Sequence, residues 1–211
     1  MTSLRTHESA LERAIDSLRN EGLGTFAYKL ASEVGFRRVL LLERSLDAPI
    51  PDVAPAVAVE FVLLGEGDVG DYLALRPDAD RARVAAQLAS GWSCYALKHE
   101  GRIVSACWRA DPPYWSSYLE RVMPIAEGDA YLTDAWTDAG YRGHALAQVL
   151  CLHQLRHLRA AGYRRALRGT VPENRPALRA HAKSGFHPIA VLGRIRIGPW
   201  RRHFRRDWRD A

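Results

Sequence analysis

Two short stretches carry the residue types from which chemistry could be built. The first is Arg142-Gly143-His144-Ala145-Leu146-Ala147, where a strand-like run over 130–137 passes through a turn at 138–143 into a helical run opening at His144. A strand that enters a helix through a short turn leaves the first N–H groups of that helix unpaired. Those groups, with the helix dipole behind them, make an anion site suited to a pyrophosphate. Small residues at 143, 145 and 147 let a ligand approach the backbone closely. The dinucleotide fingerprint G-x-G-x-x-G keeps only one of its glycines here, and the Gly-Lys-Ser/Thr of a P-loop is absent. On this turn alone, a packed strand–turn–helix stands beside the anion site as a reading. The second stretch, Asn174 to Phe186, opens on a capping Asn and a first-turn Pro and closes at Gly185. Asn174 and His181 are seven residues apart, so they project from nearly the same helix face and could share a ligand.

The elements that must position these residues follow from hydrophobic period and turn chemistry. Leu11, Ile15 and Leu18 predict a helix over 9–19, 25–34 predicts a second, and Val39, Leu40 and Leu41 a strand over 38–43. Pro49, Pro51 and Pro55 make 47–55 a loop. Beyond it, 57–64 reads as a strand, 69–75 and 80–90 as helices, and 93–99 with 102–109 as a hairpin around Glu100-Gly101. An aromatic loop follows over 111–127, then the strand 130–137. The strongest helix spans 144–161 through Leu146, Val149, Leu150, Leu152, Leu155 and Leu158, and closes at Gly162. A strand over 165–171, a short helix over 175–184 and strand structure over 186–197 complete the order. Interleaved strands and helices place the chain in the α/β or α+β class with a mixed sheet. The organisation expected is an extension over residues 1–56, made of helices and a strand, followed by one domain over 57–211.

Composition excludes several classes. The chain has 211 residues, 47% apolar and 26% charged, too apolar for a disordered protein. No apolar run approaches the roughly 20 residues needed to cross a bilayer, and the first 21 residues carry four acids and no signal-peptide core. Cys94, Cys107 and Cys151 are odd in number and lie in apolar segments, so they read as buried thiols of a reducing compartment. A cytoplasmic protein is expected. The net charge of +6 divides unevenly: residues 141–211 hold 16 basic residues against three acids, and residues 1–140 hold 14 against 21. The basic third faces an anion or carries an added tail. No nucleic-acid recognition motif accompanies the charge. His153 and His157 are spaced i, i+4 but lack a zincin glutamate, so an exposed polar face is read there and no metal is expected.

Together the two stretches resemble the GNAT superfamily of N-acetyltransferases. The family's Gln/Arg-x-x-Gly-x-Gly/Ala pattern aligns with Arg142, Ala145 and Ala147, preceded by Tyr141. Its Asn-x-x-Ala-x-x-x-Tyr-x-Lys-x-Gly-Phe pattern aligns with Asn174, Ala177, His181, Lys183, Gly185 and Phe186. The match is specific over about 130–186, extends plausibly from Val57, and leaves 1–56 uncovered. It departs in two places: Ala145 stands at the first motif glycine, and His181 at the usual tyrosine. The resemblance implies a mixed, mostly antiparallel twisted sheet flanked by helices. It implies acetyl-CoA or another acyl-CoA as co-substrate, held by Thr137, Tyr141, Arg142, Gly143, His144, Ala145, Leu146, Ala147, Asn174 and Lys183, and a primary amine as acceptor.

A family member of this kind moves the acyl group by direct attack of the amine. The departing thiolate takes a proton from an acid, a role that falls to His181, as imidazolium or through a water it holds. Among Asp129, Asp134 and Asp138, the general base favoured is Asp134, mid-strand beside Leu132, Ala135 and Trp136, where a carboxylate needs a reason to be buried. Tyr114, Trp115 and Tyr118 could line an acceptor pocket or lie over the core. The tail from Pro199 places Trp200, Phe204 and Trp208 at i, i+4, i+8 among arginines. It reads as a final strand, or as a basic amphipathic helix for a membrane surface or an acidic carrier protein. The extension over 1–56 is expected to complete the acceptor pocket or to form the interface of a homodimer. The reading from a different class is a non-catalytic module of the same fold that binds CoA thioesters or a protein partner.

Overall fold

The computed structural model describes residues 35–208; the helices expected over 9–19 and 25–34 lie outside them. In chain order the strands and helices are β1 (Arg37–Ser45), β2 (Glu60–Leu63), α1 (Val69–Leu75), α2 (Arg81–Ala89), β3 (Ser93–His99), β4 (Arg102–Ala110), β5 (Trp115–Ser116), β6 (Arg121–Val122), β7 (Asp129–Thr137), α3 (Leu146–Ala160), β8 (Arg165–Thr170), α4 (Arg175–Lys183), β9 (His187–Ile197) and β10 (Trp200–Asp207). Eight strands form one sheet in the order β10-β9-β1-β8-β7-β4-β3-β2, with β5 and β6 as a separate two-stranded ladder. Every neighbouring pair is antiparallel except β7 and β8.

The sheet separates two apolar layers by side-chain alternation. Leu40 and Leu42 of β1 and Ala130 and Leu132 of β7 face the helix α3, whose Leu146, Val149, Leu150, Leu152, Leu155 and Leu158 form one buried stripe. Val39, Leu41 and Tyr131 face the opposite way, onto Leu119 and Met123 of the aromatic loop. On that opposite side, α1 and α2 cover β3 and β4 through Val69, Tyr72, Leu75 and Val84 around Trp108. The Trp108 Nε1–H donates to the Tyr72 hydroxyl at 2.9 Å, which satisfies both polar atoms inside the layer.

Local chemistry sets the element ends. Glu100 and Gly101 both take positive φ, 48° and 77°, as a two-residue hairpin between β3 and β4 requires. The Asn174 side chain accepts from the Ala177 N–H at 3.1 Å, and α4 ends where Phe186 N–H bonds the His181 carbonyl and Gly185 N–H that of Ala182, a Schellman-type close.

One expectation needs correction, and one open pair of readings is resolved. Strand β1 pairs with both β8 and β9, so residues 37–45 are an interior strand of the main sheet and a boundary at residue 56 would cut through it. Four consecutive buried residues, Val39–Leu42, are the mark of a strand covered on both faces. The tail is strand β10, paired along its length with β9, the first of the two readings open for it. Trp200 and Phe204, an even number of residues apart in the strand, fall on one sheet face, and Trp208 follows just past its end.

Candidate functional site

The site begins where the sheet comes apart. The parallel ladder of β7 and β8 runs from Asp129↔Arg165 to Leu132↔Arg168 and stops there, although both strands continue. On its other edge β7 pairs with β4, and the register passes from Trp108↔Thr133 to Ala106↔Trp136. Strand β7 thus holds one residue too many, a bulge, centred on Asp134 with φ at +48°. The two strands diverge, and the β7 backbone past Leu132 has no strand partner on its β8 edge.

Three cavities line up through this gap. The first, about 410 Å³, lies over the start of α3 and is lined by Thr137, Tyr141, Arg142, Gly143, Ala145, Leu146, Ala147, Gln148, Pro176, Arg179, Ala180 and Lys183. The second, about 150 Å³, lies deeper, among Ser105, Cys107, Ala135, Thr137, Ala147, Cys151, Arg168 and His181. The third, about 250 Å³, opens beside Thr133, Asp134, Gly169, Thr170, Asn174 and His181. The first and second share Thr137, Ala147 and Ala180; the second and third share Ala135, Arg168, Ala177 and His181.

The first cavity fits a chain of phosphates. A helix leaves its first N–H groups without intrahelical partners; in α3 Gln148 N–H already reaches the Ala145 carbonyl, and Ala145, Leu146 and Ala147 line the cavity wall ahead of it. Gly143 has φ +87°, and a Cβ built on it would meet nothing within 4 Å, so that space is open to a ligand. Ala145 is left-handed at φ 59°, ψ 9°, a conformation that costs a residue with a Cβ roughly 1–2 kcal/mol. Arg142, Arg179 and Lys183 are exposed on the rim, and among the described residues none of the three pairs with a carboxylate.

Eight of the ten residues expected to hold the co-substrate line this first cavity. His144 does not, and its Nδ1 is buried without a hydrogen-bond partner. Asn174 lines the third cavity instead, with its carbonyl oxygen engaged in the cap. Gln148, Pro176, Arg179 and Ala180 line the first cavity without having been singled out. Positions 176, 179, 180 and 183 follow the helical period, the signal that could have found them.

The other candidates separate sharply. Asp134 is not buried: it is exposed, and its carboxylate accepts from Arg76 Nη1 at 2.7 Å. Arg76 also pairs with Asp78 and lies 4.5 Å over the Trp136 ring, so the reason for a carboxylate at the bulge is an arginine from the end of α1. Asp138 caps the following turn through the Gly140 N–H, and Asp129 binds Arg165. His181 is partly buried at the gap, with Nδ1 3.3 Å from Arg168 Nη1. Burial, then the adjacent guanidinium charge, lowers the imidazole to about 3. It is therefore neutral at physiological pH and is not an imidazolium donor. The Arg168 N–H directed at Nδ1 places its remaining proton on Nε2. His153 stacks on Phe61, and His157 Nδ1 meets the Tyr95 hydroxyl at 3.3 Å. Tyr114, Trp115 and Tyr118 line none of the three cavities; Tyr114 packs between Trp92 and Tyr131.

Comparison with known proteins gives the same assignment. The family model described as the acetyltransferase (GNAT) family matches residues 66–186. No curated protein sequence is significantly similar to the chain. Among solved structures, a GNAT-family acetyltransferase from Novosphingobium aromaticivorans is 22% identical over 75% of this chain and 65% of its own, with a TM-score of 0.52. A GCN5-related N-acetyltransferase from Sphaerobacter thermophilus is 18% identical over 89% and 57%, with a TM-score of 0.55. The chain thus spans less than two thirds of the length of either. An aminoglycoside N-acetyltransferase in complex with CoA is 15% identical over 61% and 91%, with a TM-score of 0.50. These likenesses are of fold. No helix among the described residues is long and apolar enough to cross a membrane.

Proposed function

We propose, from the premise that the chain belongs to the acetyltransferase (GNAT) family, that it transfers an acyl group from an acyl-CoA thioester to a primary amine by direct attack. The observation that carries this reading is the bulged, parted pair β7 and β8 leading into the open turn at 142–147. It offers a path from an anion cradle to a deep gap flanked by unpaired backbone.

Coenzyme A supplies an activated thioester; the chain supplies placement. Gly143, Ala145, Leu146 and Ala147 present backbone to the phosphates, and Arg142, Arg179 and Lys183 add charge at the rim. The narrow second cavity, walled by Ala147, Cys107 and Cys151, leaves room at the thioester end for a water beside His181 and keeps bulk solvent out. The backbone freed at the bulge donates to the carbonyl oxygen on which negative charge develops. The amine enters from the third cavity, where Asp134 takes its proton directly or through water. The amine nitrogen forms the new C–N bond, the C–S bond breaks, and the thiolate recovers a proton from solvent through a water held by the Nε2–H of His181. Cys151 and Cys107 are wall residues in this scheme, with no covalent role.

Detection of free thiol on mixing the chain with acetyl-CoA and a panel of amines tests the reading. Release dependent on both partners, with an acylated amine identified by mass, is expected. Saturable acetyl-CoA binding with no release across the panel would mark a binding module instead.

A further inference from the structure

Of the buried arginines among the described residues, one has no oxygen to bind. Arg44 donates to the Pro49 and Gly185 carbonyls, Arg109 to Asp111 and the Gly91 carbonyl, and Arg194 pairs with Glu120. Arg168, 6% exposed, sits at Leu132↔Arg168, the last pair before β7 and β8 part. Its Nη1 faces His181 Nδ1 at 3.3 Å and its Nη2 faces the Cys107 sulfur at 3.2 Å. Its Cζ lies 5.4 Å from the Phe186 ring centroid, and its Nε is buried with no partner. Among the described residues it forms no ion pair.

A buried guanidinium without a counter-charge is costly, and none of its neighbours supplies one. Burial pushes the Cys107 thiol up, so the sulfur stays neutral, and His181 is neutral as well. Asp134, which shares the third cavity with Arg168, is bound to Arg76. Arg168 lines both the second and the third cavity, so the residue stands on the path between the thioester end and the amine entrance. A planar fork of donors at the wall of a small cavity matches a carboxylate in shape and charge.

We propose that Arg168 is a receptor for a carboxylate carried by one of the two substrates, either at the end of a dicarboxylic acyl chain or on the amine acceptor. This inference rests on the acyltransferase reading of the gap. Location alone does not divide the two sources, since one guanidinium faces both cavities. The phosphates are met elsewhere, at the turn, so this receptor serves a second, smaller anion.

Calorimetry with the full chain separates the sources without requiring turnover. One arm compares succinyl-CoA with butyryl-CoA, which differ in a terminal carboxylate. The other compares α-amino acids with their amides in the presence of CoA. In one arm the carboxylate-bearing member should bind about 10- to 100-fold more tightly, the range for hydrogen bonds to a charged group. Arg168→Met, which keeps length and apolar packing, should reduce that preference to within about twofold. Absence of a preference in both arms with the native chain overturns the proposal, whether or not the variant folds, and so does a preference that persists in a folded Arg168→Met. A preference without CoA release on mixing with amines would uphold the receptor and remove the transferase reading. Release with no preference would do the reverse.

Discussion

At the turn over 142–147 the walls of the site are mostly backbone, shaped by a glycine at φ +87° and an alanine at φ +59°, and the charges stand exposed at the rim. At the gap between β7 and β8 the walls are side chains from four separate segments: Cys107 of β4, Asp134 of β7, Arg168 of β8 and His181 of α4. The turn can accept any ligand that brings phosphate, because N–H groups and a helix dipole do not inspect what is attached. The gap offers a means of selection, because each group there has a fixed neighbour: Arg76 for Asp134, and Arg168 for both Cys107 and His181. In the proposed scheme, binding and selectivity thus belong to different ends of one channel.

The largest effect that could break this division falls on Asp134. Asp134→Asn should lower kcat/KM by roughly 10²-fold, the usual worth of a positioned base, while acetyl-CoA affinity changes less than about twofold. An unchanged kcat would confine the carboxylate to holding Arg76, and the gap would lose its base.

The turn has the next effect. Arg179→Ala and Lys183→Ala should each weaken acetyl-CoA binding several-fold and flatten its dependence on salt, since exposed charges act through a screened field. Equal affinities at low salt would show that backbone alone suffices. These two residues also show what sequence could not rank. Lys183 stands in a recognisable pattern with Gly185 and Phe186, whereas Arg179 reaches the cavity only because α4 packs beside the start of α3, where Gln148 Nε2 donates to the Lys183 carbonyl.

That contrast extends to the whole molecule. The turn, the hairpin at Glu100-Gly101 and the helix stripe of α3 are local, governed by residues within one or two turns of one another, and the sequence pattern displays them. The gap is not local. Nothing around Arg168 within its own strand, Arg165 to Thr170, says that Cys107 and His181 will meet it, and nothing near Asp134 names Arg76. The bulge on β7 was equally hidden, because it depends on the register against β4. Strand β1 was visible as a strand, but its place between β8 and β9 comes from pairing with residues more than a hundred positions later.

A smaller effect reports on His181. Its folded pKa, about 3, lies below the unfolded value near 6.5, so its contribution to stability is fully present above that value and is lost as pH falls toward 3. The Tm of the native chain should therefore fall between pH 7 and pH 5, and His181→Phe should reduce that fall by a few degrees. An identical fall in the variant would mean that the imidazole is free to ionise in the folded state. The smallest effect is at the turn: Ala145→Gly should raise stability by about 0.5–1 kcal/mol by removing the left-handed strain on a Cβ. Thermal melting would detect it, and a lower Tm would show that the alanine methyl packs usefully.

Calorimetric titration of acetyl-CoA into the native chain and into Gly143→Val tests the assignment of the channel most directly. A side chain at Gly143 projects into the open space of the first cavity from a backbone held at φ +87°. Saturable one-to-one binding to the native chain, lost or weakened at least about 30-fold in a folded Gly143→Val, is the predicted result. Equal affinity in both would place acetyl-CoA elsewhere on the molecule and contradict the account.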